Sequence, residues 1–413
     1  MRITNLFTRT SKTVSTDETS RNAQLLIRAG YIHKEMAGVY AYEPLGLMVI
    51  ENIKRIVREE MNSVGGQEVV MTVLQPKELW EKTNRWDDHT VDNWFKTKLA
   101  NGTELGVGLT HEEPIVAMAG KYVKSYKDLP FSIYQIQSKF RNEKRAKSGL
   151  LRGREFLMKD MYSFARTREE HMKIYEDIAT AYFRVYERLG LGEITFRTKA
   201  DGGIFTKEFS DEFQTVSEVG EDTIYLDRKK RLAVNKEVYT PENLAKFDLK
   251  TEDLEEVHAV EVGNIFHLES KYPDALGVHY TDENGEQQSI INGCYGIGIS
   301  RLMGVIAEVF ADDKGLIWPV SIAPYRVYLV GIGDRGSAKA DEIYSQLTEQ
   351  GIGVLYDDRD VRPGQKFTDS ELLGIPYRIT VSDKLVDDGK CELTERKSLA
   401  TERLTLEQIV VTI

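Results

Sequence analysis

Residues 139–160, KFRNEKRAKSGLLRGREFLMKD, concentrate positive charge that could bind an anion. Eight Lys or Arg lie between Lys139 and Lys159 against only two acids, in a chain with a formal net charge of −11. Most charge runs are solvated surface, but these cations alternate with phenylalanines and follow an apolar strand pattern. Buried guanidinium groups need an anion, and phosphate suits their forked geometry. Phe156 could stack on a base. Since no GxxxxGK[ST] loop occurs, a nucleotide would be bound without a Walker loop.

The composition excludes several classes of protein. At 413 residues and 41% hydrophobic, the chain can bury a large core in two or three domains. No apolar run approaches a membrane span, and the first residues lack a signal-peptide core, so we expect a cytoplasmic protein with no membrane partner. The two cysteines, Cys294 and Cys391, are far apart, and the seven histidines lack metal-ligand spacing, which predicts no zinc site.

The hydrophobic spacing predicts the elements around the basic stretch. Residues 45–66 and 167–192 read as long amphipathic helices, and short alternating runs between them read as strands of an antiparallel sheet. The acidic stretch Pro241 to Glu261 indicates a surface segment or short linking element. Beyond Pro324, strands and a helix alternate as a small α/β unit. We therefore expect an α/β (α+β) chain with a mostly antiparallel sheet flanked by helices.

Two segments resemble motifs of the class II aminoacyl-tRNA synthetases. FRNE followed by LLRGREF resembles motif 2, FRxE, a variable loop and (R/H)xxxF; GCYGIGISRLMGVIAE, 293–308, resembles motif 3, in which a glycine-rich strand enters a helix carrying Arg301. Further segments are similar to the bacterial-type prolyl-tRNA synthetase family nearly from end to end, among them RAGYIHKEMAGVYAYEPLG, LTHEE, YQIQSKFRNE, REFLMKDMYSF and DDRDVRPGQKFTDSELLGIPYRI. The resemblance implies a class II catalytic domain at 1–226 and 261–323 and an anticodon-binding domain at 324–413.

The same resemblance implies an activity and its partners. It implies a proline–tRNA ligase that attaches L-proline to tRNA(Pro) in two steps, through a prolyl-adenylate formed from ATP with Mg²⁺, in a homodimer. Many bacterial relatives carry an editing domain between motifs 2 and 3. Only the segment 227–260 stands in that place here, and so short and acidic a remnant cannot form a domain with its own core. We expect no editing of Ala-tRNA(Pro) in cis, which leaves room for a separate trans-editing protein.

The family's ATP contacts can be carried over residue by residue. Arg141 would hold the substrate carboxylate and the α-phosphate, and Arg301 would grip the terminal phosphates, so both are the implied catalytic residues. Gly296 and Gly298 would let the backbone approach the nucleotide; read alone, they could equally mark a β-bulge. The remaining implied ATP contacts are Glu143 on the adenine side, Arg152 on the phosphates, Phe156 stacking on adenine, and Glu261 at ATP or its magnesium.

Proline and tRNA contacts follow from two other segments. LTHEE resembles the family's TxE loop, in which Thr110 and Glu112 would receive the secondary ammonium of proline, with His111 as a structural residue. The implied wall of the proline pocket consists of Met158, Phe266 and Cys294, each of which could also be ordinary core. In the C-terminal unit, the residues suited to anticodon contact are Arg359, Arg362 and Lys366, although a solvated loop explains any one of them nearly as well.

Two departures from the family pattern concern the dimer and the pocket. The family's MP in motif 1 reads Met71-Thr72, which bears on edge packing at the expected dimer interface. The GGSxSHEF segment reads TKEFSDEF, residues 206–213, with Asp211 in place of His. Two other interpretations remain open: a class II synthetase for another amino acid, and an inactive synthetase-like regulatory or tRNA-binding protein. Retention of Arg141, Arg152 and Arg301 argues against the second.

Overall fold

The computed structural model describes residues 1–146 and 148–413, which divide into two compact units. The central unit comprises 54–146 and 151–302, and the terminal unit comprises 1–53, 148–150 and 303–413. The helices of the chain are Arg21–Arg28, Pro44–Ser63, Lys77–Glu81, Glu112–Ala119, Arg168–Arg188, Pro241–Lys246, Lys271–Ala275, Ile299–Val309, Asp334–Glu349, Pro363–Leu373, Asp383–Asp387 and Leu406–Thr412. One-turn 3₁₀ segments lie at Ile3–Asn5, Tyr126–Asp128, Gly149–Leu151, Gly192–Ile194, Lys236–Val238 and Thr251–Asp253.

The central unit is built on a nine-stranded sheet, which is mostly antiparallel as predicted. Its strands, in spatial order, are Phe209–Val216, Thr195–Asp201, Leu232–Asn235, Asp222–Asp227, Glu255–Glu269, Ile291–Gly298, Glu155–Ala165, Phe131–Phe140 and Gly66–Glu68. The strand Glu255–Glu269 also pairs directly with Phe209–Val216. Motif 2 therefore forms the hairpin of Phe131–Phe140 with Glu155–Ala165, and the motif 3 strand lies beside it.

Smaller elements surround this sheet. The strands Leu74–Pro76, Lys96–Lys98 and Glu104–Val107 form a three-stranded sheet, and His279–Thr281 pairs with Gln287–Ser289. Two short strands in different sheets, Gly66–Glu68 and Leu74–Pro76, follow the first long helix. The predicted helix near Thr167 is confirmed: Thr167 accepts a hydrogen bond from the Glu170 amide at 3.3 Å and caps Arg168–Arg188.

The terminal unit contains a five-stranded sheet, and an apolar core lies between this sheet and helices. In spatial order the strands are Val354–Asp357, Val327–Ile332, Tyr377–Ser382, Cys391–Glu395 and Thr401–Leu404, the first three parallel. A separate hairpin joins Ile32–Met36 to Val39–Tyr42. Buried aliphatic side chains such as Leu329, Ile343 and Ile379 pack between the sheet and Asp334–Glu349, so the predicted α/β unit beyond Pro324 is confirmed.

The interpretation of Pro241 to Glu261 as a surface or linking segment is wrong for its last third, from Glu255 to Glu261. Residues from Glu255 onward form the fifteen-residue strand that runs through the middle of the large sheet. Acidic residues at its start are exposed, whereas Ala259 and Val262 are fully buried. The acidic composition of this segment concealed an alternation that is typical of a strand.

Candidate active site

Thr110 and Glu112 meet at the buried N-terminus of the helix Glu112–Ala119. The Thr110 hydroxyl lies 2.8 Å from both Glu112 carboxylate oxygens, and Glu112 is fully buried. The Cys294 thiol lies 3.4 Å and the Tyr162 hydroxyl 3.5 Å from Glu112 Oε1. The structure therefore brings together the two residues predicted to hold an ammonium group, with Cys294 beside them.

The predicted apolar wall is close to this carboxylate. Phe266 pairs across the sheet with Cys294, and both belong to the buried core of the central unit. The Phe266 ring lies 4.8 Å from the ring of Phe205, between centroids. Met158 is partly buried on the motif 2 strand, opposite Gly298. Cys294 thus contacts Glu112, and Phe266 lies beside Cys294 in the same buried apolar cluster.

His111 is a structural residue, as predicted. Its Nε2 lies 3.0 Å from the Thr72 carbonyl and its Nδ1 3.0 Å from Lys139 Nζ. Burial lowers the pKa of His111 to about 4, so the imidazole is neutral. Lys139 in turn forms a buried ion pair with Asp160 at 2.8 Å, and the Tyr162 hydroxyl lies 3.0 Å from Asp160. A buried polar network therefore supports the loop that carries Glu112.

Arg141 presents a guanidinium with no protein acceptor. Its side chain lies 5.2 Å from the Phe156 ring centroid, and within 1–146 and 148–413 no carboxylate or carbonyl accepts a hydrogen bond from it. Burial, and then the neighbouring charge of Arg301, lower the pKa of Arg141. The Arg141 guanidinium therefore lies near a second cation and has no hydrogen-bonded acceptor within the described residues, which suits a bound anion. One face of Phe156 is covered by Arg141 rather than left for adenine.

Arg301 is fixed at the start of the helix Ile299–Val309. Its Nε donates to the Leu151 carbonyl at 2.8 Å, and its Nη1 donates to the Glu261 carbonyl at 2.5 Å and lies 3.3 Å from Glu261 Oε2. Asn264 also donates to Glu261, at 2.6 Å. The Glu261 carboxylate is therefore already held by two donors. In the part of the chain that is described, no three His, Cys, Asp or Glu side chains converge as metal ligands, so these residues alone do not form a magnesium site.

The motif 3 glycines are required by their protein neighbours. A Cβ at Gly296 would lie 2.9 Å from Asn264 Oδ1, and one at Gly298 would lie 3.1 Å from the Arg301 Cβ. A larger residue at either position would displace the side chains that hold Glu261 and Arg301. These contacts explain the glycines without a ligand, and they keep the strand edge narrow at the site.

Glu143 and Arg152 are paired with each other. Arg152 Nη2 and Nε lie 2.9 and 3.1 Å from Glu143 Oε2, and Arg152 Nη1 lies 3.0 Å from Glu221. The Arg152 side chain is about half exposed, so it can exchange these partners for another anion at small cost.

The two departures from the family pattern and the predicted anticodon residues lie outside this site. Asp211 is buried and pairs with Arg197 at 2.7 Å and Lys199 at 2.6 Å. In the terminal unit, Arg359 is held by Asp357 and Asp369, and the buried Lys366 donates to main-chain carbonyls. Of the three predicted anticodon residues, Arg362 is the exposed one. The Thr72 side chain is exposed.

Sequence reasoning missed Arg85 and Glu113. Arg85 Nη1 lies 3.0 Å from Glu112 and 3.1 Å from both oxygens of Glu113, and all three residues are buried. Arg85 lies in the segment TNRWDD, which matches no recognised motif. No pattern in the sequence relates it to Glu112, 27 positions away. The only available signal was the second glutamate of LTHEE.

Comparison with known proteins places this site in a family. Residues 95–310 match the tRNA synthetase class II core domain (G, H, P, S and T), and residues 326–413 match an anticodon binding domain. The proline–tRNA ligase of Anaplasma marginale is 39% identical over 427 residues, covering 99% of both chains. The chain belongs to the prolyl-tRNA synthetase family. The family, the fold class and the prediction of an enzyme are therefore confirmed.

Other prolyl-tRNA synthetases extend the comparison. The proline–tRNA ligase of Rickettsia africae is 37% identical over 94% of both chains. That of a Geobacillus species is 32% identical over 566 aligned positions, covering 100% of this chain and 99% of the relative. Since this chain has only 413 residues, the Geobacillus protein contains segments that have no counterpart here.

Solved structures share the fold. Prolyl-tRNA synthetase from Cryptosporidium parvum, complexed with halofuginone and AMPPNP, superposes with a TM-score of 0.78 at 18% identity, covering 94% of this chain and 75% of that one. The Giardia lamblia enzyme in complex with prolyl-adenylate gives 0.77 at 20% identity, covering 93% and 74%. At these identities the likeness concerns the fold. In the described residues, no helix is both long and apolar enough to cross a bilayer.

Proposed function

We propose that this protein activates L-proline with ATP and transfers it to tRNA(Pro). The observation that carries the proposal is the presence, in the central unit, of a cation suited to an anion and a carboxylate suited to an ammonium group. Within the described residues no group accepts a hydrogen bond from the Arg141 guanidinium, while the Glu112 carboxylate contacts Cys294 of the buried apolar cluster. A zwitterionic amino acid with an apolar ring would place its ammonium at Glu112 and its carboxylate toward Arg141.

The chemistry would proceed in two steps without a covalent enzyme intermediate. The proline carboxylate oxygen attacks the α-phosphorus of ATP, a prolyl-adenylate forms and pyrophosphate leaves; the terminal ribose hydroxyl of tRNA then attacks the prolyl carbonyl and AMP leaves. Arg141 would neutralise charge at the α-phosphorus, and Arg301 and Arg152 would hold the terminal phosphates. Preorganised positive charge, rather than a nucleophilic side chain, would lower the barrier.

Other contacts complete the proposal. Glu143 would seat the adenine once Arg152 turns to the phosphates, and Phe156 would stack on the base. Magnesium would enter on the ATP phosphates, with Glu261 as the proposed protein carboxylate beside it. Met158, Phe266 and Cys294 would enclose the pyrrolidine ring. We further propose a cytoplasmic homodimer, in which the exposed Thr72 lies at the expected interface.

Amino-acid-dependent exchange of pyrophosphate into ATP, without tRNA, tests the first step. The assay is run with proline, alanine, cysteine, threonine and glycine. We expect strong exchange with proline. Exchange with another of these amino acids in place of proline would favour a class II synthetase of different specificity. Exchange with none of them would favour the regulatory or tRNA-binding interpretation and overturn the proposal.

A further inference from the structure

Arg85 lies between two carboxylates of the proposed proline pocket. One of its nitrogens, Nη1, contacts Glu112 Oε2 at 3.0 Å and both Glu113 oxygens at 3.1 Å. Arg85 is 3% exposed, and the two glutamates are fully buried. Its Nε and Nη2 have no hydrogen-bond partner within the described residues, and its guanidinium lies against the ring of Trp80 at 4.9 Å. The single cation must therefore be shared between two anions.

The charges of this triad match one bound ammonium group. Two neighbouring buried carboxylates cannot both ionise without a cation. With Glu112 and Glu113 ionised and Arg85 charged, the triad has a net charge of one negative unit, which a prolyl ammonium would neutralise. With Glu113 neutral, Arg85 instead cancels the charge of Glu112, and a bound ammonium would leave a buried excess of positive charge.

The state of Glu113 is finely balanced. Burial raises the pKa of Glu113 to about 7, although Arg85 opposes this shift. The Thr83 hydroxyl donates to Glu113 Oε1 at 2.7 Å, which favours the ionised form. Glu113 therefore changes charge near neutral pH, where the amine of proline remains protonated.

Several other titratable groups surround the two carboxylates. Burial raises the pKa of Tyr162, Tyr272 and Cys294, so these groups stay neutral. His111 is neutral, Lys139 is paired with Asp160, and Arg141 is a guanidinium. The remaining one, Lys271, donates to the carbonyls of Ile204 and Phe205.

We propose that Glu113 controls proline affinity through Arg85: ionised Glu113 takes up the charge of Arg85 and leaves Glu112 with a net negative charge for the substrate ammonium. Both are positioning residues, since neither is assigned a contact with substrate. The inference rests on the proposed function. It identifies the electrostatic condition under which the Glu112 site accepts an amine.

Suppression by a second substitution tests this inference. In pyrophosphate exchange, Glu113→Gln should raise the KM for proline about tenfold or more, since Arg85 then neutralises Glu112. The KM for ATP should not change. Adding Arg85→Met removes the excess positive charge and should return the proline KM toward that of the unmodified protein. If Glu113 and Arg85 had only a structural role, the double variant should have a higher proline KM than Glu113→Gln. That result would overturn the inference.

A pH profile gives an independent readout. For the unmodified protein, the proline KM should fall as pH rises from about 6 to 8, because Glu113 ionises. Glu113→Gln should abolish this dependence. Thr83→Val, which keeps both buried charges, should move the transition to higher pH, so the test remains decisive if Glu113→Gln does not fold. A profile unchanged in both variants would contradict the inference.

Two controls separate the possible failures. Glu60→Gln removes another largely buried glutamate that pairs with Arg184 and Arg188, and it should leave the proline KM unchanged. Absence of proline-dependent exchange in the unmodified protein would overturn the proposed function, and this inference with it. Exchange by the unmodified protein together with an unaltered proline KM in Glu113→Gln would overturn the inference alone.

Discussion

The guanidinium of Arg152 is bound to the carboxylate of Glu143 through Nη2 and Nε, at 2.9 and 3.1 Å. Both residues are proposed ATP contacts, so we expect the pair to separate when the nucleotide binds. The Arg152 side chain is about half exposed, and exposed ion pairs contribute little to stability. The pair can therefore hold Arg152 near the phosphate position without a large cost of release.

Arg152→Ala should raise the KM for ATP about tenfold, while the KM for proline and the thermal midpoint stay unchanged. The reason is the loss of one phosphate contact at an exposed position. Pyrophosphate exchange at varied ATP measures the effect. Lys144→Ala, which removes a cation of the same loop paired with Asp92, is the matched control. Equal effects of both substitutions would indicate a general loss of charge rather than a specific contact.

Arg301→Ala should lower the rate of proline activation by about 10²–10³-fold, the usual effect of removing a donor that stabilises developing charge. Arg301→Lys should recover little, because a lysine cannot replace the separate contacts to Leu151 and Glu261. Single-turnover adenylate formation provides the measurement. Arg184→Ala, at an arginine paired with Glu60 away from the pocket, should leave the rate unchanged. Normal activation by Arg301→Ala would disprove the phosphate role.

Arg362→Ala should reduce kcat/KM for tRNA about tenfold without changing pyrophosphate exchange, since Arg362 is the exposed member of the proposed anticodon set. Arg359→Ala should instead destabilise the terminal unit, because Arg359 joins Asp357 and Asp369. Aminoacylation at varied tRNA and thermal unfolding separate the two effects. Arg403→Ala, at an exposed arginine paired with Glu392, serves as control. An equal loss of kcat/KM for tRNA in Arg403→Ala would show that Arg362 has no specific role in tRNA binding.

Asp211→Asn should lower the free energy of unfolding by about 2 kcal/mol at pH 7, because it leaves the partly buried Arg197 and Lys199 short of a partner. These cations lower the pKa of Asp211 from 3.8 to about 2. A carboxyl whose pKa is lowered in the folded protein stabilises the fold at pH values above its ordinary pKa of 3.8. This stabilisation is lost as the pH falls from about 4 toward 2. The difference between the proteins should thus narrow by about 2 kcal/mol below pH 4.

Urea unfolding from pH 7 downward measures this difference. Asp248→Asn removes an exposed carboxylate paired with Lys230 and should have little effect at any pH. A difference for Asp211→Asn that stays constant down to pH 3 would show that its ion pairs are not the source of the stability.

The purified protein should hydrolyse Ala-tRNA(Pro) no faster than buffer does. Residues 227–260 form a short strand, a short helix and the start of the Glu255–Glu269 strand, and their apolar side chains, such as Val234 and Leu244, pack into one small cluster with Phe209. A segment of this length does not form a separate catalytic domain. Deacylation of the preformed substrate, followed over time, provides the check. A rate well above that of buffer would contradict the expectation.

The sequence predicted the parts of the site that lie in contiguous motifs. Arg141, Arg301, Thr110 and Glu112 could be found because each occurs within a recognisable local pattern, and the structure brings the last two into contact. Arg85 could not be found, because its contact with Glu113 joins distant positions through burial rather than through a sequence period.

Two outcomes have a common physical origin. Charge composition predicted a surface segment where Glu255–Glu269 is an interior strand, and the predicted anticodon residue Lys366 is only 7% exposed and donates to the main chain. In both cases the fold uses charged side chains internally, by pairing them or by placing only the ends of an element in solvent. Local sequence cannot distinguish these uses from solvation.

The position of the motif 3 strand also has a consequence for synthesis on the ribosome. Ile291–Gly298 lies between Glu255–Glu269 and Glu155–Ala165, yet it is the last strand of the nine to be translated. Until it emerges, the growing chain holds two incomplete half-sheets, each with an open edge that can pair wrongly or recruit another chain. Closure of the sheet, and with it the placement of Arg301, therefore comes as one late event in the life of the nascent chain.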